Sequence, residues 1–124
     1  TITLYRGINE TNKIAYNNAF NGIVKPNKNW YQFWRSEATT FEHNAGSTLN
    51  SSKTSWTSDV RVAQNFASRP GGNGIVLETT IKNSRIIQSP NLNYVLVDGQ
   101  IVSESEVLLR GIIKAQIRGL VNGR

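Results

Sequence analysis

The sequence predicts an α+β fold, because helical and strand patterns occupy different parts of the chain. Apolar residues recur at helical spacing in three segments, residues 9–20, about 29–43 and 59–67. Short runs of β-branched residues between turn signals fill most of the second half. With 124 residues, of which 38% are hydrophobic and 18% charged, the chain suits one folded domain with a sizeable core.

The first predicted strand, residues 2–7, ends in the pair Arg6 and Gly7. Glycine permits a sharp change of chain direction and a close approach of the backbone to a ligand. An arginine at a strand end can bind a phosphate through two parallel hydrogen bonds. Arg6 is therefore a candidate anion-binding residue, although an ordinary surface arginine fits the same pattern.

The first two predicted helices supply apolar stripes to the core. Residues 9–20 end at Asn21 and Gly22, a typical helix stop, and residues 23–29 form a connector. The second helix begins near Asn29, and its aromatic stripe is interpreted as core. The stripe consists of Trp30, Phe33, Trp34, Ala38 and Phe41. A polar loop over residues 44–53 follows.

A short strand runs directly into the third predicted helix. Side chains alternate along a strand, so Ser55 and Thr57 share one face and Trp56 faces the core. Either Asp59 or Ser58 is expected to cap the helix, because both side chains can accept a backbone hydrogen bond. Two hydroxyl groups thus stand on one strand face, immediately before a helix.

Strands are predicted for much of the chain after residue 53. They cover residues 54–57, 75–81, 85–87, 94–97, 101–109 and 112–121. Residues 68–74 form a loop that lacks the Gly-Lys-Ser/Thr ending of a nucleotide-binding P-loop. Asp98 and Gly99 are expected to turn a hairpin.

Glu104 and Glu106 stand two residues apart at the start of an apolar run. In a continuous strand their side chains point to the same face. Two like charges at that spacing repel, so one carboxyl is expected to hold its proton more tightly. Such a pair occurs where it does chemistry or where water surrounds it, and a solvated strand end is the simpler interpretation.

The composition excludes several kinds of site. The chain has no cysteine, which excludes disulfides and thiolate chemistry, and one histidine, His43, which excludes a multi-histidine metal site. The net charge of +6 favours an anionic partner, which could be nucleic acid, an acidic protein or a small phosphorylated ligand, or it serves solubility alone. No apolar run approaches the roughly 20 residues of a membrane span.

Taken in order, these features resemble the arginine–serine–glutamate class of mono-ADP-ribosyltransferases, the cholera-toxin-like branch. The match runs through Leu-Tyr-Arg-Gly, then Ser-Trp-Thr-Ser-Asp followed by Ala63 and Phe66, and finally Glu-Ser-Glu-Val. It extends from Leu4 to Gly111. The resemblance implies that family's fold, with two packed, mostly antiparallel β-sheets and flanking N-terminal helices, in a single catalytic domain over residues 1–124.

The resemblance also implies a role for the acidic and hydroxyl residues. Glu106 matches the catalytic glutamate, and Glu104 matches the upstream glutamate found where the acceptor is an arginine. Ser55 and Thr57 match the first and third residues of the family's Ser-Thr-Ser motif, whose first serine orients the catalytic glutamate. If the register were shifted to Thr57-Ser58, Ser58 would take the role assigned to Ser55, but the spacing from Ser55 to Ala63 and Phe66 fits better.

The remaining implied roles concern NAD+ and the acceptor. Arg6, with Gly7 beside it, matches the first-strand arginine that binds NAD+ phosphate and ribose. Phe66 and Arg69 match an aromatic residue and an arginine that lie against nicotinamide and phosphates in related toxins. Residues 98–103 would form the substrate-recognition loop.

The chemistry implied by the resemblance is transfer of ADP-ribose from NAD+ to an arginine of a target protein, with release of nicotinamide and without a metal. Departure of nicotinamide builds an oxocarbenium-like ribose, which Glu106 can stabilise. The acceptor guanidinium is protonated near neutral pH, so Glu104 would orient it or take its proton. The alternatives are transfer to RNA or DNA, hydrolysis of NAD+, and a non-catalytic basic binding module.

The resemblance further implies a biological setting. The chain begins at Thr1 directly on a strand-like segment, so it is expected to be an excised domain. It would be the C-terminal toxin domain of a larger secreted bacterial effector, delivered into the cytoplasm of a target cell. A toxin that acts on its own kind would need a neutralising immunity protein as a partner.

Overall fold

The computed structural model describes residues 1–26, 52–89 and 93–122. Its central strand is β1 (Ile2–Asn9), which pairs along its whole length with β4 (Gly74–Ile81), from Ile2 opposite Ile81 to Asn9 opposite Gly74. Strand β4 buries apolar side chains on both faces, with Ile75 and Leu77 in one core cluster and Val76 in another, which is the pattern of a sheet covered on both sides.

The other elements are short. The helices are α1 (Lys13–Phe20) and α2 (Val60–Ser68), and a 3-10 turn covers Asn83–Arg85. The remaining strands are β2 (Ile23–Val24), β3 (Lys53–Thr57), β5 (Ile87–Gln88), β6 (Tyr94–Val97), β7 (Gln100–Ser103), β8 (Glu106–Arg110), β9 (Ile113–Lys114) and β10 (Gln116–Val121).

The described strands form three antiparallel sheets. The largest has six strands in the order β10-β4-β1-β3-β8-β5, and β2–β9 and β6–β7 are two-stranded. This arrangement confirms the predicted α+β class with mostly antiparallel pairing. The distribution over three sheets differs from the two that the resemblance implied. Of the expected N-terminal helices, α1 is present, and residues 29–43 with their aromatic stripe lie outside the described part.

The two faces of the six-stranded sheet carry separate cores. On one face α1 and β2–β9 pack over a cluster that includes Leu4, Trp56 and Leu109, all at most 2% exposed. On the other face, α2 packs through Ala63 and Ala67 against β1 and β4. Trp56 is therefore a core residue, as predicted, and its indole Nε1 donates to the Thr54 hydroxyl at 2.9 Å.

Helix α2 lies directly on the backbone of β1. A β-carbon added at Gly7 would lie 1.8 Å from the carbonyl oxygen of Ala63, and one added at Gly74 would lie 2.0 Å from that of Ala67. Only glycine allows this separation, because real β-carbons do not approach a backbone oxygen so closely. Asp59 caps the helix by accepting the Arg61 amide at 2.9 Å, which confirms one of the two predicted caps.

Two predicted strands are each interrupted where the chain changes sheets. Residues 101–109 were expected to be continuous, but Ser105 adopts φ 50° between β7, which pairs with β6, and β8, which pairs with β3. Residues 112–121 break at Ala115, since β9 pairs with β2 and β10 pairs with β4. In each segment the two halves pair with strands of different sheets, so both predictions of continuity are wrong.

Smaller differences have local causes. The first helix begins at Lys13 rather than residue 9, because β1 continues to Asn9 and the Asn12 side chain caps the helix at Ala15 N. The predicted strand at residues 85–87 is shifted to β5, after the 3-10 turn. The hairpin predicted at Asp98 and Gly99 is confirmed, with Val97 opposite Gln100 and both turn residues at positive φ.

Candidate active site

A pocket of about 440 Å³ opens on the α2 side of the six-stranded sheet. It lies where β1, β3 and β8 meet helix α2 and the chain beside the β6–β7 hairpin. Seven of the eight residues singled out from the sequence line it: Arg6, Gly7, Ser55, Thr57, Phe66, Glu104 and Glu106. Arg69, the eighth, follows the C-terminus of α2 near the pocket. Residues separated by about a hundred positions in the chain thus share one cavity.

Glu106 is the first residue of β8, directly opposite Thr57 of β3. The Ser55 hydroxyl donates to Glu106 Oε2 at 2.5 Å, and the Ser89 hydroxyl donates to Oε1. Both carboxylate oxygens therefore accept hydrogen bonds. A carboxylate with two donors is held in one orientation, which is what electrostatic catalysis requires of a charged group.

The register of β3 decides between Ser55 and Ser58. Ser55 is half-buried and contacts Glu106, whereas Ser58 is exposed and lies outside the pocket lining. Thr57 shares the Ser55 face, and its hydroxyl donates to the Glu104 carbonyl oxygen at 2.6 Å while accepting the Asp59 amide at 3.0 Å. Thr57 therefore fixes the chain between the two glutamates and the start of α2.

Arg6 fills the gap where β1 and β3 separate, because these strands pair only at Tyr5 and Thr57. Its Nη1 donates to the Ser55 carbonyl oxygen at 2.8 Å, and its Nε is buried without a hydrogen-bond partner among the described residues. Burial lowers the pKa of Arg6 to about 10, and the nearby Glu106 carboxylate acts in the opposite direction. The guanidinium is still positive at neutral pH and keeps an unused donor.

Glu104 lies just before Ser105, in the segment that links β7 to β8. Its backbone amide donates to the Asn93 carbonyl oxygen at 2.9 Å, and its side chain lines the pocket together with Glu106. Partial burial and the Glu106 charge raise the pKa of Glu104, while Arg69 opposes the shift. The sequence expectation that one carboxyl holds its proton more tightly applies to Glu104.

The raised pKa of Glu104 predicts a pH dependence of stability. In the unfolded chain Glu104 loses its proton around its ordinary pKa of 4.5. In the folded protein it keeps the proton to a higher pH. The unfolding free energy contributed by this group therefore falls as pH rises from about 4.5 through the folded-state pKa. Glu104→Gln removes the effect, so its stability relative to wild type is expected to increase over that range. Urea unfolding of both proteins between pH 4 and 8 tests this, and parallel curves would contradict it.

Phe66 and Arg69 stand together at the end of α2. The Phe66 ring is 38% exposed although it is apolar, and the Arg69 guanidinium lies 5.8 Å from its centroid. The loop after Arg69 is fixed by the Asn9 side chain, which donates to the carbonyl oxygens of Ala67 at 2.8 Å and Gly71 at 3.0 Å. An exposed aromatic face beside a cation is thereby held at the pocket rim.

The segment predicted as a substrate-recognition loop, residues 98–103, belongs to the β6–β7 hairpin. Its inner face packs Val95, Val97 and Val102 against Val62 of α2. Its outer face exposes Tyr94, Leu96 and Ile101, each more than half accessible. An ordered hairpin with an apolar outer face therefore stands next to Glu104.

Sequence reasoning did not assign Tyr5, Ser89 or Asn93 to the site. Tyr5 and Asn93 line the pocket, and Ser89 contacts the Glu106 carboxylate. Tyr5 could have been found from its place beside Arg6 in the Leu-Tyr-Arg-Gly segment. No local pattern distinguishes Ser89 or Asn93 from loop residues, because their places depend on the pairing of β5 with β8 and on the path of the chain before β6.

The described part of the chain shows neither a metal-binding cluster nor a membrane-spanning helix. Within residues 1–26, 52–89 and 93–122, no three acidic or histidine side chains are grouped so that they could hold a metal ion. In the same part of the chain, no helix has the length and apolarity to cross a membrane.

Comparison with known proteins found no matching family model, curated protein or solved structure.

Proposed function

We propose that this protein is a mono-ADP-ribosyltransferase that transfers ADP-ribose from NAD+ to an arginine of a target protein. The observation that carries the proposal is the Glu106 carboxylate, held by Ser55 within a pocket that also contains Arg6 and Glu104. A fixed carboxylate, a buried cation and a second acid are the groups that such a reaction needs. The sequence resemblance supports the same assignment through the same residues.

The pocket has features that suit NAD+. Its volume of about 440 Å³ falls within the range of roughly 300–1,000 Å³ typical of small-molecule sites. The buried Nε of Arg6 lacks a partner among the described residues, and a phosphate or ribose oxygen would satisfy it. Phe66 offers an exposed aromatic face for a planar ring, and Arg69 beside it offers a further cation for phosphate.

The proposed reaction replaces one bond to the ribose by another. Nicotinamide leaves with the electron pair of its bond to ribose C1, and a guanidinium nitrogen of the acceptor forms the new bond to that carbon. Glu106 stabilises the positive charge that develops on the ribose and accepts a hydrogen bond from a ribose hydroxyl. Arg6 balances the charge of the phosphates.

Glu104 is assigned to the acceptor. The attacking guanidinium nitrogen must lose a proton, and a carboxylate within reach can take it. The raised pKa of Glu104 makes this carboxylate a better base than an ordinary glutamate, as long as it is ionised at the working pH. The two carboxyls thus have different tasks, because Glu106 acts on the ribose and Glu104 on the acceptor.

Glu104→Gln is expected to lower transfer of ADP-ribose to arginine much more than it lowers NAD+ cleavage. The amide cannot accept the acceptor proton, so arginine labelling should fall by on the order of 100-fold, whereas NAD+ cleavage with water as acceptor should fall less than about 10-fold. The measurement uses labelled NAD+ with bacterial or eukaryotic lysate and, separately, buffer alone. Glu78→Gln, which changes an acid outside this pocket, is the matched control.

Three other outcomes of that experiment would redirect the assignment. Label confined to nucleic acid would favour RNA or DNA as acceptor, for which the net charge of +6 argues. Free ADP-ribose formed at full rate without any acceptor would favour an NAD glycohydrolase. No NAD+ turnover by wild type in any arm would contradict the proposal and favour a non-catalytic basic module.

The proposed setting is that of a bacterial toxin domain from a secreted effector, delivered into the cytoplasm of a target cell. A dedicated immunity protein is proposed as its partner, since a producing cell would otherwise modify its own proteins. A pull-down from the producing cell tests this, and the absence of a dedicated binding protein would count against it.

A further inference from the structure

We propose that Ser89 is a positioning residue for Glu106, acting on the carboxylate oxygen that Ser55 leaves unbound. The inference rests on the proposed ADP-ribosyltransferase function, and it adds a residue that the sequence pattern did not assign. The Ser89 hydroxyl donates to Glu106 Oε1, while the Ser55 hydroxyl donates to Oε2. The two serines therefore hold different oxygens of one carboxylate.

The sheet places the two serines on opposite sides of Glu106. Strand β8 lies between β3, which carries Ser55, and β5, which Ser89 follows directly. The pairing of Ile87 with Leu108 and of Gln88 with Val107 brings the next residue, Ser89, level with Glu106. The contact is therefore a consequence of strand register, and Ser89 is half-buried at this position.

Two hydrogen-bond donors restrict the orientation of the Glu106 carboxylate more than one donor can. The terminal torsion of a glutamate side chain is broad, so a carboxylate held at one oxygen can still rotate about its last bond. A second donor from the other side fixes the plane of the group. An ionised carboxylate can accept about four hydrogen bonds, which is more than the two serines supply.

Correct orientation matters most in the transition state. Displacement of a catalytic group by about 1 Å can cost on the order of 100-fold in rate, whereas substrate binding spread over a whole pocket changes little. Loss of the Ser89 hydroxyl should therefore lower kcat and leave KM for NAD+ nearly unchanged. If Ser89 served only to link β5 to β8, loss of its hydroxyl would lower thermal stability without lowering kcat at a constant KM.

The experiment compares Ser89→Ala with Ser89→Thr, which keeps a hydroxyl, and with Ser84→Ala, which removes an exposed hydroxyl from the nearby 3-10 turn. We expect Ser89→Ala to lower kcat for NAD+ cleavage by roughly 10- to 100-fold with KM within about 2-fold. Ser89→Thr should recover most of kcat, and Ser84→Ala should match wild type. An unchanged kcat in a folded Ser89→Ala variant overturns the proposal.

A second measurement does not depend on turnover. In protein labelled with 13C at the glutamate side chains, Ser89→Ala should shift the carboxyl resonance of Glu106, and Ser84→Ala should not. If the resonance does not move, the hydrogen bond is absent and the positioning role fails. If the resonance moves but the wild-type protein never cleaves NAD+, the hydrogen bond is present and the proposed function is contradicted. In that case the role of Ser89 in that reaction is overturned with it.

Discussion

Glu106→Gln is expected to lower NAD+ cleavage and ADP-ribose transfer together, by about a thousandfold. The substitution keeps the size of the side chain but removes the negative charge that we propose stabilises the developing charge on the ribose. Removal of a single preorganised electrostatic group typically costs 100-fold to 1,000-fold in kcat, and here the whole charge is lost. Steady-state cleavage of labelled NAD+, with and without lysate proteins as acceptors, measures both activities.

The control for this prediction is Glu78→Gln. Glu78 lies in β4, is paired with Arg118 at 2.9 Å and lines a different cavity, so its loss should leave kcat within about 2-fold of wild type. Unfolding curves of both variants show whether the fold is intact. If folded Glu106→Gln cleaved NAD+ at more than a tenth of the wild-type rate, Glu106 would not be the catalytic glutamate.

Gly7→Ala is expected to destabilise the protein by about 3 kcal/mol or more. The new β-carbon would lie 1.8 Å from the Ala63 carbonyl oxygen and 2.8 Å from the Ala67 amide nitrogen, both of which belong to the backbone of α2. Backbone cannot yield as a flexible side chain can, so the helix must move away from β1. Since α2 forms one wall of the pocket, activity should fall as well. Urea unfolding monitored by circular dichroism measures the stability.

Gly119→Ala is the matched control, because Gly119 also lies in a strand of the six-stranded sheet but no atom of the described residues comes within 4 Å of the position of its β-carbon. Its unfolding free energy should stay within about 0.5 kcal/mol of wild type. Equal stability of the two variants would mean that α2 does not rest on Gly7 as described. In that case the remaining explanation for a glycine at position 7 would be the close approach of the backbone to a ligand.

The sequence alone was sufficient for features that depend on neighbouring residues. Alternation placed Ser55 and Thr57 on one strand face and Trp56 in the core, as the structure confirms. Capping chemistry identified Asp59, and the Asp98–Gly99 dipeptide identified a hairpin turn. These signals are local, since they follow from the geometry of a single strand, helix or turn.

The ordered appearance of Arg6, Ser55, Glu104 and Glu106 along the chain was also enough to propose one site, and the structure brings all four to one pocket. The path between the acids was predicted incorrectly. The sequence suggested an unbroken strand, but Ser105 turns the chain from the β6–β7 sheet to the six-stranded sheet. Nothing within residues 101–109 reveals that the two halves pair with different partners.

What the sequence determined by itself was the class of the fold, the two faces of β3 and the residue types available for chemistry. Only the tertiary structure decided that Gly7 is required by contact with α2, that β1 and β3 separate around Arg6, and that Ser89 joins Ser55 on Glu106. The reason is physical. Side-chain direction follows from local backbone geometry, whereas strand register and helix-to-sheet distance depend on packing between segments far apart in the chain.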